Sequence, residues 1–132
     1  MNTGKLQRRW SEEKPEVYNK DERKVCLDIH PETGTNADGK VVNGFSYVMV
    51  EIDGQIDYGH IKSQLIESGF AQKDEFGLIM NAANDILNAM SVSNTFAEFK
   101  AALDTADVKA FADFCAFRTY CGEVSKQIIK QY

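Results

Sequence analysis

Two periodicities divide the chain. Up to about residue 56 the apolar residues alternate or gather in short runs, and from Asp57 onward they return every three or four positions. "KVCLDI" (24–29) and "GFSYVMVEI" (44–52) are rich in β-branched and aromatic residues and predict two strands. The stretch between them, "HPETGTNADGKVVN", is polar, carries Gly and Asp-Gly turn signals, and predicts a loop. A second Asp-Gly in "IDGQI" leaves room for a short third strand folding back. The expectation is a small antiparallel hairpin or meander over 25–56.

The second period predicts three to four helices over 57–132. "DYGHIKSQLIESGF" starts with Asp57 as cap, turns Tyr58, Ile61 and Leu65 inward and stops at Gly69. "AQKDEFGLIMNAANDILNAM" places Phe76, Ile79, Met80, Ala83, Ile86, Leu87 and Met90 on one stripe, expected to face the core. Its first turn holds Asp74 and Glu75, where the helix dipole favours acids. Thr95 and Glu98 stand at capping-box spacing and open a short helix to about Asp104. A long last helix runs from about Asp107 to the end. The fold class is α+β.

In that last helix Phe114, Phe117, Cys121, Val124 and Ile128 follow the spacing of a heptad seam. Val108, Phe111 and Cys115 form a neighbouring stripe, so the apolar face is wide and is expected to pack on helix 72–90 and on further cover from the sheet or a second subunit. Arg118 projects between the two stripes, where an unpaired charge would be costly. Asp57, Glu67, Asp74 and Glu75 are its candidate carboxylate partners.

Residues 1–24 fit neither period. Their charges alternate in sign, Pro15 interrupts them, and the apolar anchors are few. They read as an extended arm on a single 25–132 domain, with Leu6, Trp10 and Tyr18 as partner-binding anchors and with Arg8 and Arg9 placed to meet an acidic neighbour. On this reading, removing 1–24 abolishes partner binding and barely changes thermal unfolding.

Composition narrows the function. Hydrophobic residues at 43% and charged residues at 27% are ordinary for a soluble globular protein. The net charge of −5 is uneven: residues 1–24 hold seven basic against five acidic side chains, and the remainder eight against fifteen. So acidic a body disfavours nucleic acid, whose binding draws on phosphate contacts. No apolar run approaches a membrane span and no signal-peptide core is present, so the chain is expected to be made in the cytoplasm. Three cysteines, with Cys115 and Cys121 six apart, point to reduced thiols rather than a bridge.

Catalytic and metal motifs are weak. Cys115 and Cys121 lack zinc spacing, and His30 and His60 are isolated from them and from each other. "GTNADG" matches the middle of a calcium loop, but Gly34 and Phe45 occupy the positions of its first and last ligands, which leaves a hairpin turn. "ETGTNADGK" lacks the Lys-Ser/Thr ending of a phosphate loop. No cofactor, metal or catalytic residue is expected, and the chain reads as a non-enzyme.

"SYVMVEIDGQIDYGHIKSQLIESGFAQKDEFGLIMN" (46–81) resembles small proteins encoded among the virion and tail genes of tailed bacteriophages and prophages of Bacteroides-type bacteria. "FADFCAFRTYCGEV" is similar to the aromatic-and-Arg helix that closes members of that group, and more loosely to the last helix of phage tail-fibre assembly proteins. The resemblance implies a non-catalytic structural or adaptor protein of the virion, at a tail, neck or head-fibre attachment point. Its partners would be other phage structural proteins, with self-association a further option. The alternative it leaves open is a fibre assembly chaperone that departs before the particle matures.

Overall fold

A computed structural model describes residues 1–132. Four strands precede four helices: β1 (Arg9–Ser11), β2 (Tyr18–Asn19), β3 (Lys24–Thr35), β4 (Val41–Glu51), α1 (Tyr58–Gly69), α2 (Gln72–Val92), α3 (Phe96–Ala102) and α4 (Ala106–Ile129). The architecture is α+β, as the two periodicities predict. All strand pairs are antiparallel, in the order β1-β4-β3-β2.

The central hairpin is longer than its apolar runs. Beyond a register shift between Leu27 and His30, β3 and β4 stay paired from His30↔Ser46 out to Thr35↔Val41. The segment expected as a loop is therefore mostly strand, and only its tip turns. There Asn36 Oδ1 accepts from the Asp38 and Lys40 amides, and Gly39 takes φ 79°. The hairpin-turn reading of "GTNADG" holds. No third strand follows β4; Gly54 turns at φ 74° and the chain enters α1.

The arm is the main correction. Its residues supply both edge strands, so 1–24 belong to the sheet instead of extending from it. Chain geometry made this hard to foresee, because two- and three-residue strands carry no periodicity of their own.

Fifteen buried residues form one core. Tyr18, Val25, Leu27, Val48, Val50 and Ile52 come from the sheet half, and Ile61, Leu65, Ile66 and Phe70 from α1 and its end. The predicted seam of α4 completes it: Phe114, Phe117, Cys121, Val124 and Ile128 are all at most 2% exposed. Phe70 meets Phe114 edge-on at 5.0 Å between ring centroids and Phe117 at 5.4 Å. The wide apolar side of α4 is covered by the core residues of the sheet half and α1 and, as expected, by α2, which packs along α4 and sets Leu78 against the core without adding a residue to the fifteen.

Capping residues behave as their types require. Asp57 Oδ1 accepts from the His60 amide at 2.9 Å, Thr95 Oγ1 from Glu98 N at 3.2 Å, and Thr105 Oγ1 from Val108 N at 3.2 Å. Gly69, expected just beyond α1, is instead its last residue, and a Cβ there would collide with the Thr3 carbonyl. That close approach ties down the N-terminus, with Lys5 N donating to Gly69 O at 2.8 Å.

Candidate functional site: the outward face of the second helix

Of the five residues expected to bind a partner from a free arm, Leu6, Arg8, Trp10 and Tyr18 make intramolecular side-chain contacts, and Arg9 stays exposed. Tyr18 is 3% exposed, and its hydroxyl lies 2.5 Å from that of Tyr132, so the residues just past α4 meet the sheet at the β2 edge. Trp10 lies across the hairpin, its Nε1–H donating to Glu32 O at 2.8 Å. Gly34 and Gly44 form its seat, since a Cβ at either would fall inside the indole's van der Waals envelope. Leu6 packs half-buried against the core. Arg9 is exposed within β1, opposite Tyr47.

Arg8 is the centre of a polar cluster. Its Nε donates to Ser46 Oγ at 2.6 Å, its Nη1 to Asp28 Oδ2 at 2.8 Å and its Nη2 to the Asp28 carbonyl at 2.8 Å; Nη2 also lies 3.1 Å from His30 Nδ1. A serine, a histidine and an aspartate so gathered invite comparison with a nucleophilic triad. The guanidinium stands between them, however, and Ser46 Oγ meets arginine rather than imidazole, so the proton path a triad requires is interrupted. What the cluster does is hold the β3 irregularity, where Asp28 adopts φ 51° and its amide donates to Tyr120 Oη at 2.8 Å.

The thiols are equally placed for packing. Burial pushes the Cys121 thiol up to about 12, and burial also raises Cys26. A thiol at that value holds its proton at neutral pH and is a poor nucleophile. No three His, Cys, Asp or Glu side chains converge where they could share an ion. Arg118 pairs with Glu75, one of its four candidates, at 3.1 Å, and at 48% side-chain exposure it sits at the rim rather than amid the apolar surface.

The feature without an internal explanation is α2. Its stripe of large residues, expected to face inward, faces out. Phe76 is 65% exposed, Met80 52%, Leu87 65% and Met90 61%, while the helix buries Ala82 and Ala89 on the opposite side. The reason is tertiary: the sheet and α1 already cover the α4 seam, and small side chains let α2 settle closely against what remains. Tyr58 is corrected in the same direction, at 41% exposed. Each large side chain left in water forgoes about 1.5–3 kcal/mol of burial, so the monomer leaves several such increments unused.

The apolar surface continues past the helix end. Val92 is 71% and Phe96 79% exposed, and Met90, Ser93, Asn94, Thr95, Phe96 and Phe99 line an open groove of about 350 Å³. From Phe76 to Ala97 the only charged residue is Asp85, whose Oδ2 accepts from Thr105 Oγ1 at 2.6 Å. The stripe is legible in the sequence, but its direction is the reverse of the one expected. The signal that could have corrected it was the pair of alanines seven apart, the mark of a close helix contact on the other side. No helix is long and apolar enough to cross a membrane. Comparison with known protein families, with curated proteins and with solved structures finds no match to this chain.

Proposed function

We propose that this chain is a non-catalytic structural or adaptor protein of a tailed-bacteriophage virion, working by protein–protein contact. The observation that carries the reading is the outward apolar face of α2, continued by Phe96 beside the groove. Exposed apolar patches of several hundred Å² mark interaction surfaces in soluble proteins. Support for the virion context comes from the resemblance of residues 46–81 and of the closing helix to proteins encoded among phage tail genes.

Mass spectrometry of purified particles is the test. Stoichiometric presence of the chain supports the virion role. Absence from mature particles, with presence in infected cells, overturns it in favour of an assembly chaperone. Replacing Phe76 and Leu87 together by Ser is expected to leave the fold intact and to lower incorporation at least about tenfold, since central apolar anchors dominate contact energy.

A further inference from the structure

We infer that the outward face of α2 is covered by α2 of a second copy of this chain, running antiparallel about a twofold axis that passes beside Ala83. Phe76, Met80, Ala83, Leu87 and Met90 follow one another at spacings of four, three, four and three, a heptad seam two turns of the repeat long. At about 100° per residue they fall within roughly 40° of a single line down the helix, with Ile79 and Ile86 along one flank.

Reflected about position 83, the seam and its flank, Ile79 and Ile86, map apolar position onto apolar position. In an antiparallel pair centred there, Phe76 faces Met90 of the other copy, Ile79 faces Leu87, Met80 faces Ile86, and Ala83 faces itself. Every apolar position therefore meets an apolar position, as an isologous contact requires. A heterologous partner would place no such constraint on the sequence. The smallest residue of the stripe is at the axis, where the two backbones must come nearest.

Charge agrees with this occupant. A twofold axis brings each charge towards its own copy, and the face carries none: Asp85, the one charge between Phe76 and Ala97, is held by Thr105. The groove agrees as well. Met90 lies on its wall, and antiparallel pairing delivers Phe76 of the other copy to Met90, where an aromatic ring can enter between Met90 and Phe96. At 40–65% exposure, Phe76, Ile79, Met80, Leu87 and Met90 leave on the order of 500 Å² open per copy, about 1,000 Å² for a pair, near the total at which stable interfaces begin. Pairing through the sheet is the weaker route, because the two edge strands are only three and two residues long.

The inference rests on reading this face as a protein contact, but not on virion membership, which particle composition decides separately. Its test is sedimentation of the full chain with Ala83→Glu, Ala83→Lys and their mixture, circular dichroism confirming that each variant is folded. The wild type is expected to dimerise by tens of micromolar, and each variant to bind itself roughly a hundredfold more weakly, because like charges then meet on the axis. Mixing the two variants should restore a dimer containing one of each. A wild type that stays monomeric at about 200 μM, a variant that dimerises as the wild type does, or a mixture no more associated than its components overturns the proposal.

Discussion

Individual side chains in this molecule are explained by their nearest neighbours, and three of them make that testable. Gly44 exists to admit Trp10, so Gly44→Ala should displace the indole from the hairpin; as the chain has a single Trp, its emission is expected to shift to the red. Arg118 has a partner, but the pair is at the rim, and Arg118→Met should cost no more than about 1 kcal/mol in denaturant unfolding. Phe117, fully buried against Phe70 and Gly69 at the end of α1, should cost about 3–5 kcal/mol when cut to Ala. The titrating groups of the core set an alkaline limit. Tyr18 is raised from 10.0 to about 12 by burial and by Tyr132, and Cys121 from 9.0 to about 12 by burial. Both are neutral when protonated, and the unfolded chain loses these protons first as pH rises. Their contribution is therefore whole below about pH 9 and is lost on approaching pH 12. Denaturation midpoints measured from pH 8 to 11.5 should fall, and Tyr18→Phe should flatten part of that slope.

Among the elements, α4 was the most legible and the N-terminal strands the least. The seam from Phe114 to Ile128 could be read because a 24-residue helix repeats its pattern often enough to define a face. Tyr18 offered no such repetition: two residues of β2 pair with Val25 and Lys24, and only that pairing puts the ring in the core. The consequence reverses the expectation for an arm. Deleting residues 1–24 removes both edge strands, Tyr18, Leu6 and the Arg8 cluster, and it should lower the unfolding free energy by more than about 4 kcal/mol, a large part of the 5–15 kcal/mol typical of a domain. A melting temperature unchanged by the deletion would show that these contacts contribute little. For α2 the stripe itself was visible and its direction was not, since a helix with large residues on one side and alanines on the other can bury either.

At the scale of the whole molecule, the fold is arranged as three layers, with the sheet, then α1 and α4, then α2 and α3 outermost. Buried chemistry is confined to the first two, where Cys26, Cys121 and Tyr120 are all held in their protonated forms by desolvation. The outer layer holds the candidate contact surface and gives the main core no fully buried residue, only Leu78 packed against it. Substituting Phe76 or Leu87 by Ser should therefore change monomer stability by no more than about 0.5 kcal/mol, while reducing self-association and particle incorporation together. Loss of folding in either variant would mean that the outer face supports the domain after all.

Sequence alone determined the α+β class, the helix caps at Asp57 and Thr95, and the α4 seam, because each follows from local chemistry or a repeated period. Tertiary structure decided which of two apolar stripes α2 buries, which of four carboxylates meets Arg118, and that the first 24 residues close the sheet on both edges. These are choices between neighbours distant along the chain. They are settled by which surfaces come into contact once the core has formed, and no local pattern encodes that.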